Sequence, residues 1–134
     1  MELTTEQLHA IMPLGQHLDI DLRAATPEEV VMAMDWAPET TTAGGAMHGG
    51  MLMALADTAG GTVAFLNLPD GAGTSTISSS TVFLRAVRAG TVTATSRLVH
   101  RGRSTIVAET ELTDADGRPV SRTTQTQAVL APRG

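Results

Sequence analysis

Ala46-Met47-His48-Gly49-Gly50-Met51-Leu52-Met53-Ala54-Leu55-Ala56-Asp57 is the stretch on which the reading of this chain turns. A His-Gly-Gly turn opens an apolar helical run, and a single acid, Asp57, stands nine residues after the histidine. A helix start offers unpaired backbone NH groups at the positive end of the helix dipole. Glycine at that place lacks a Cβ, so a ligand carbonyl can approach the backbone closely. Two turns on, Asp57 has Leu55, Ala56, Ala59 and Val63 for neighbours and no hydrophilic stripe to join. It is therefore expected to be buried, where a carboxylate needs a partner or a chemical task. The pair reads as an oxyanion donor and a catalytic carboxylate.

Around this stretch, Asp57 is the only charge between Thr40 and Pro69, but six glycines, His48 and Asn67 break the apolar run. A buried central helix over 50–66, ~25 Å long, is expected rather than a membrane span. Upstream, the Thr4-x-x-Gln7 pattern caps a short helix of roughly Thr5 to Met12 within residues 1–13, limited by Pro13 and Gly15. His17 to Ala25 and Val30 to Trp36 alternate apolar and polar residues as half-buried strands do. Downstream lie four Thr/Val/Ser-rich strands, Ser75–Leu84, Thr91–His100, Ser104–Thr113 and Val120–Leu130. Asp114-Ala115-Asp116-Gly117 is a hairpin turn between the last two. Two strands, a long apolar helix and four strands predict an α+β fold in one domain spanning 1–134, with an antiparallel sheet wrapped around the central helix.

Composition removes several classes of function. The chain has 134 residues, a formal net charge of -5 and only Trp36, Phe65 and Phe83 as aromatics, which argues against a nucleic-acid surface. It has no cysteine, so disulfides, thiolate metal sites and a Cys nucleophile are excluded. Met1 to Gln7 lacks the basic and apolar pattern of a secretion signal, and a cytoplasmic location is expected. His9, His17, His48 and His100 have no metal-ligand spacing, so neither metal nor cofactor is expected. Gly73-Thr74-Ser75-Thr76-Ile77 fails the serine-hydrolase elbow at its last position, and no phosphate loop is present.

The order of elements, with His48-Gly49-Gly50, Asp57 and Phe83-Leu84-Arg85-Ala86-Val87-Arg88-Ala89-Gly90, resembles the hotdog-fold acyl-CoA thioesterases of the phenylacetate-pathway and hydroxybenzoyl-CoA type. Ala86 stands where that family usually has proline. The resemblance runs from about Leu14 to Leu130 and implies that Gly49 NH polarises a thioester carbonyl. It implies that Asp57 acts as general base on water or as nucleophile, and that His48 shapes the turn. Thr42 occupies the family's Asn or Gln position, and a strand hydroxyl, Ser75 or Thr76, assists. Gly61 replaces a hydroxyl found in glutamate-type relatives, which points to the aspartate branch.

Gly49 and Asp57 lie ~12 Å apart along one helix, too far to share one thioester. The resemblance implies that glycine comes from one subunit and acid from the other, in a homodimer that pairs further into a homotetramer. Gly50 and the apolar Met47, Met51, Leu52, Phe83 and Leu84 are candidates to line the acyl site. Arg85, Arg88, Arg101 and Arg103 are candidates for coenzyme A phosphates. The expected activity is hydrolysis of an aryl- or small to medium acyl-CoA to free acid and coenzyme A. A non-catalytic acyl-CoA-binding or regulatory hotdog protein is the alternative, with a hydratase on the same fold a third reading.

Overall fold

The computed structural model describes residues 2–132, so the expected span of 1–134 runs past it at Met1, Arg133 and Gly134. Helix α1 (Thr5–Ile11) begins with a complete capping box, in which the Thr4 side chain accepts from Gln7 N and the Gln7 side chain accepts from Thr4 N. Pro13 does more than stop it. With φ fixed in the helical range and no NH to satisfy, it opens a second short helix, α2 (Pro13–His17). Asp19, at φ 53, then turns the chain into strand β1 (Asp21–Ala25). The strand expected from His17 therefore starts four residues later, because Leu18 and Ile20, which extend the alternation upstream of Leu22, lie in the turn after α2.

Strand β2 (Val30–Asp35) buries Val30, Met32 and Met34 on the side that the alternation predicts. A 3-10 turn at Pro38–Thr40 and the loop after it lead into the central helix α3 (Gly49–Phe65). Strands β3 (Gly73–Phe83), β4 (Thr91–Arg101), β5 (Thr105–Thr113) and β6 (Pro119–Leu130) follow, close to their expected bounds. The β5–β6 hairpin turns at Asp114–Gly117, where Gly117 takes the φ of 78 that favours glycine. All neighbouring pairs are antiparallel, in the order β1-β2-β4-β5-β6-β3. The six strands wrap α3, the α+β hotdog arrangement.

The core lies between α3 and β2, β4 and β5. Leu52, Leu55, Ala56, Ala59 and Val63 form one apolar cluster with Met32, Met34, Val92, Ala94, Ala108 and Leu112. Under β6 the character changes: its inward positions are Ser121, Thr123, Gln125 and Gln127, all buried. Helix α3 is not covered all round. Met53, Asp57 and Phe65 are exposed and Gly61 is half-buried, at four-residue spacing along one stripe. Asp57 is thus exposed in the single chain, contrary to the burial expected of it, although its carboxylate touches Gln125 of β6.

Candidate functional site

The N-terminus of α3 is held on three sides. Met47 N donates to Val87 O at 2.7 Å, His48 N donates to Thr40 O at 2.8 Å, and Thr42 N donates to Ala46 O at 2.8 Å. Trp36 Nε1 and Arg88 donate to the carbonyls of Gly45 and Gly44, fixing the loop that precedes the helix. His48 is the N-cap, and its Nδ1 accepts from Gly50 N at 2.8 Å. That bond puts the neutral ring's proton on Nε2 and leaves no lone pair for general-base work. Gly50 NH is thereby occupied, while Gly49 NH has no acceptor among the described residues.

The Phe83 ring lies against Gly49, so that a Cβ at 49 would meet Cζ at 3.3 Å. Phe83 is 49% exposed, so the ring that borders Gly49 is only partly covered. An unpaired NH at the positive end of a 17-residue helix, bordered by an aromatic ring, suits a polarised carbonyl. Met47 and Leu52, expected beside the acyl group, are instead core residues at the start of α3. Leu84 and Arg85 are exposed just beyond β3, and Arg88 is exposed near the same helix end. Arg101 and Arg103 lie at the far end of β4, roughly 30 Å of strand away from Thr91. Within one chain they do not join Arg85 and Arg88.

Asp57 stands two turns into α3, ~12 Å from Gly49 along the axis. Its Oδ1 accepts from Gln125 Nε2 at 3.2 Å. Gln125 Nε2 also donates to Gln127 Oε1 at 3.2 Å, and Thr76 Oγ1 donates to that same oxygen at 2.6 Å. Thr76 is thus linked to Asp57 through two glutamines. Ser75, the next residue along the strand, points to the opposite face and takes no part. Thr42 is exposed on the loop before His48. The described residues contain no cluster of His, Cys, Asp and Glu able to hold a metal ion, and no helix long and apolar enough to cross a membrane.

Three residues of this region carried no signal that was read in the sequence: Gln125, Gln127 and Gly60. Gln125 is 1% exposed, and its Oε1 has no hydrogen-bond partner, which costs about 1–3 kcal/mol in a protein interior. Gly60 makes room for it, since a Cβ there would fall 2.1 Å from that oxygen. The available clue was the Thr-Thr-Gln-Thr-Gln run at 123–127, a strand with no apolar residue on either face. Beside this network, an apolar cavity of about 260 Å³ is lined by Leu8, Ile11, Met12, Gly61, Phe65 and Thr74.

Relatives agree with this architecture. A thioesterase of Pseudomonas aeruginosa is 31% identical over 133 residues, 96% of this chain and 92% of the relative. The crystal structure of a mutant of it matches with a TM-score of 0.89, covering 97% of this chain and 96% of that one at 29% identity. A Haemophilus influenzae thioesterase matches at TM-score 0.89 and 26% identity, over 97% and 92% of the two chains. A hypothetical thioesterase protein from Streptococcus pneumoniae, solved with coenzyme A, matches at TM-score 0.84 and 25% identity, over 98% of this chain and 100% of that one. The profile of the thioesterase superfamily matches residues 44–121, from the loop before His48 to Ser121 on β6, and this chain belongs to that superfamily.

Proposed function

We propose that the chain is an acyl-CoA thioesterase whose working unit is at least a homodimer. The observation that carries this reading is the open stripe on α3. Asp57, the only charge between Thr40 and Pro69, stands exposed between the apolar Met53 and Phe65, while the Gly49 NH at the helix start has no acceptor. Exposed Met53 and Phe65 suit an interface more than a solvated face, and a carboxylate covered there needs a partner or a chemical task. Edge strand β3 supports the same pairing, because its outer hydrogen-bonding edge is free and Ile77 and Val82 are 61% and 60% exposed. Two copies paired there would set Gly49 of one against Asp57 of the other, and a further pairing of dimers would give a homotetramer.

In that site the Gly49 NH donates to the thioester carbonyl oxygen as it gains charge, a contact worth ~3 kcal/mol of transition-state stabilisation. The Asp57 carboxylate takes a proton from water, and the water oxygen attacks the carbonyl carbon. The C–S bond then breaks, and the coenzyme A thiolate leaves and is protonated. The alternative order has Asp57 attack first to give a mixed anhydride that water hydrolyses. Thr76, Thr42 and His48 assist by holding groups in place, and residues 1–134 act as one catalytic domain. Coenzyme A in the Streptococcus pneumoniae relative supports the leaving group, with Arg85 and Arg88 at the Gly49 end to meet its phosphates. Arg101 and Arg103 would reach that end only from a second copy.

The cavity beside Gly61 supports an apolar acyl part. A cavity of about 150 Å³ suffices for benzene, so 260 Å³ admits an aryl or a short to medium alkyl group. A chain without cysteine fits a reducing compartment such as the cytoplasm. The test is thiol release from a panel of aryl- and fatty-acyl-CoA substrates by wild type and Asp57→Asn. The expected result is turnover of at least one member and a loss of ~10³-fold in the variant. Tight acyl-CoA binding without thiol release by the wild type would instead establish the binding-only reading.

A further inference from the structure

The polar network between α3 and the β6–β3 edge has a fixed direction, which can be followed from its far end. The Ala128 carbonyl can only accept, so the Thr74 hydroxyl, 2.9 Å away, donates to it. Thr74 Oγ1 is then the acceptor for Gln127 Nε2 at 3.2 Å. This turns Gln127 Oε1 the other way, where it accepts from Thr76 Oγ1 and from Gln125 Nε2. Gln125 must therefore present its NH2 group, and the remaining N–H reaches Asp57 Oδ1. The flipped Gln125 amide would set its oxygen against both the Gln127 oxygen and the Asp57 carboxylate.

Asp57 thus receives one neutral donor whose orientation is dictated by a main-chain carbonyl through two amides and a hydroxyl. The donor cannot wander, because Gln125 and Gln127 are 1% and 2% exposed. With Oδ1 held, rotation of the carboxylate is limited, while Oδ2 has no partner among the described residues and Asp57 itself is exposed. Gln125 keeps this arrangement although its own Oε1 is buried without a partner. A group that is unfavourable for folding and yet aims a donor at the one acid of the helix is a feature of function rather than of packing.

We infer that Gln125 is the positioning residue of the Asp57 carboxylate, with Gln127 and Thr74 setting its sense and Gly60 giving it room in α3. This rests on the reading of Asp57 as the reacting acid. Gln125→Met keeps nearly the same shape and removes both the N–H donors and the orphan oxygen. Its kcat is expected to fall ~10- to 100-fold with KM within about twofold, because misplacing a reacting group by about 1 Å has effects of that size. Its melting temperature is expected to stay level or rise.

The double variant Asp57→Ala with Gln125→Met is expected to be no slower than Asp57→Ala alone. Wild-type kcat in Gln125→Met would overturn the inference. So would a double variant slower than Asp57→Ala by the factor that Gln125→Met shows alone. Failure of the underlying reading looks different, as a wild-type protein that releases no thiol. In that case the equilibrium unfolding of the same four proteins decides the link: non-additive stabilities support coupling of Asp57 to Gln125, and additive ones overturn it.

Discussion

Helix α3 has two flanks of opposite character. Toward β2, β4 and β5 it presents Leu52, Leu55, Ala56, Ala59 and Val63 to an apolar cluster that is closed within the chain. Toward β6 and β3 it presents Asp57 and Gly60 to Gln125, which is bonded on to Gln127 and Thr76, and here one amide oxygen is orphaned and a carboxylate is bonded on one side only. The first flank gains stability from area removed from water, which has no preferred direction. The second depends on the direction of each hydrogen bond. Fold and chemistry are thus carried by different faces of one helix, and substitutions on the two faces should separate stability from turnover.

Leu55→Ala makes the largest change on the closed flank. Leu55 is fully buried in the cluster, and removing its side chain is expected to lower stability by about 2–5 kcal/mol, read from urea or thermal unfolding. Thiol release per folded molecule should stay at the wild-type rate. A turnover loss that outruns the unfolded fraction would mean that the flanks are not separable.

Gly60→Ala is the converse on the open flank. Alanine raises helix propensity by ~1 kcal/mol, but its Cβ would lie 2.1 Å from Gln125 Oε1 and 2.6 Å from Cδ, so the amide has to leave Asp57. A loss of ~30-fold in kcat, equivalent to ~2 kcal/mol, is expected with a melting temperature changed by only a few degrees. Full activity in Gly60→Ala would show that the carboxylate does not need Gln125 where it now sits.

The two flanks also differed in how far they could be read in advance. The His48-Gly49-Gly50 turn, the apolar helix and the hairpin at Asp114–Gly117 depend on residues close in sequence, and periodicity with cap chemistry finds such features. The Asp57 to Gln125 bond joins residues 68 apart, and nothing local to either side chain announces it. Exposure of Asp57 was missed for a related reason. An all-round apolar helix is expected to be covered, and here the cover for Met53, Asp57 and Phe65 is absent from the chain itself. The first strand was read from His17, four residues early, because Leu18 and Ile20 in the turn after α2 continue the two-residue alternation of Leu22.

The smallest expected effect sits where the two flanks are joined, in the turn from β5 to β6. Asp114 accepts from the backbone NH groups of Arg118 at 2.9 Å and Asp116 at 3.0 Å and pairs with the Arg118 guanidinium at 3.0 Å. The Arg118 NH bond is the main cause that lowers its carboxyl below the usual 3.8, with the Asp116 NH and the Arg118 charge adding to it against some desolvation. A carboxyl whose pKa is lowered on folding adds stability above its unfolded value and loses it as pH falls through the folded one. Asp114→Asn should therefore lower the melting temperature slightly at pH 7 and reduce its fall between pH 5 and strongly acid conditions. If the turn only closes the hairpin, thiol release by Asp114→Asn at pH 7 stays at the wild-type rate. A turnover loss there would mean that the register of Gln125 opposite Ala108 on β5 depends on this turn, so that the closed flank sets the aim of the open one.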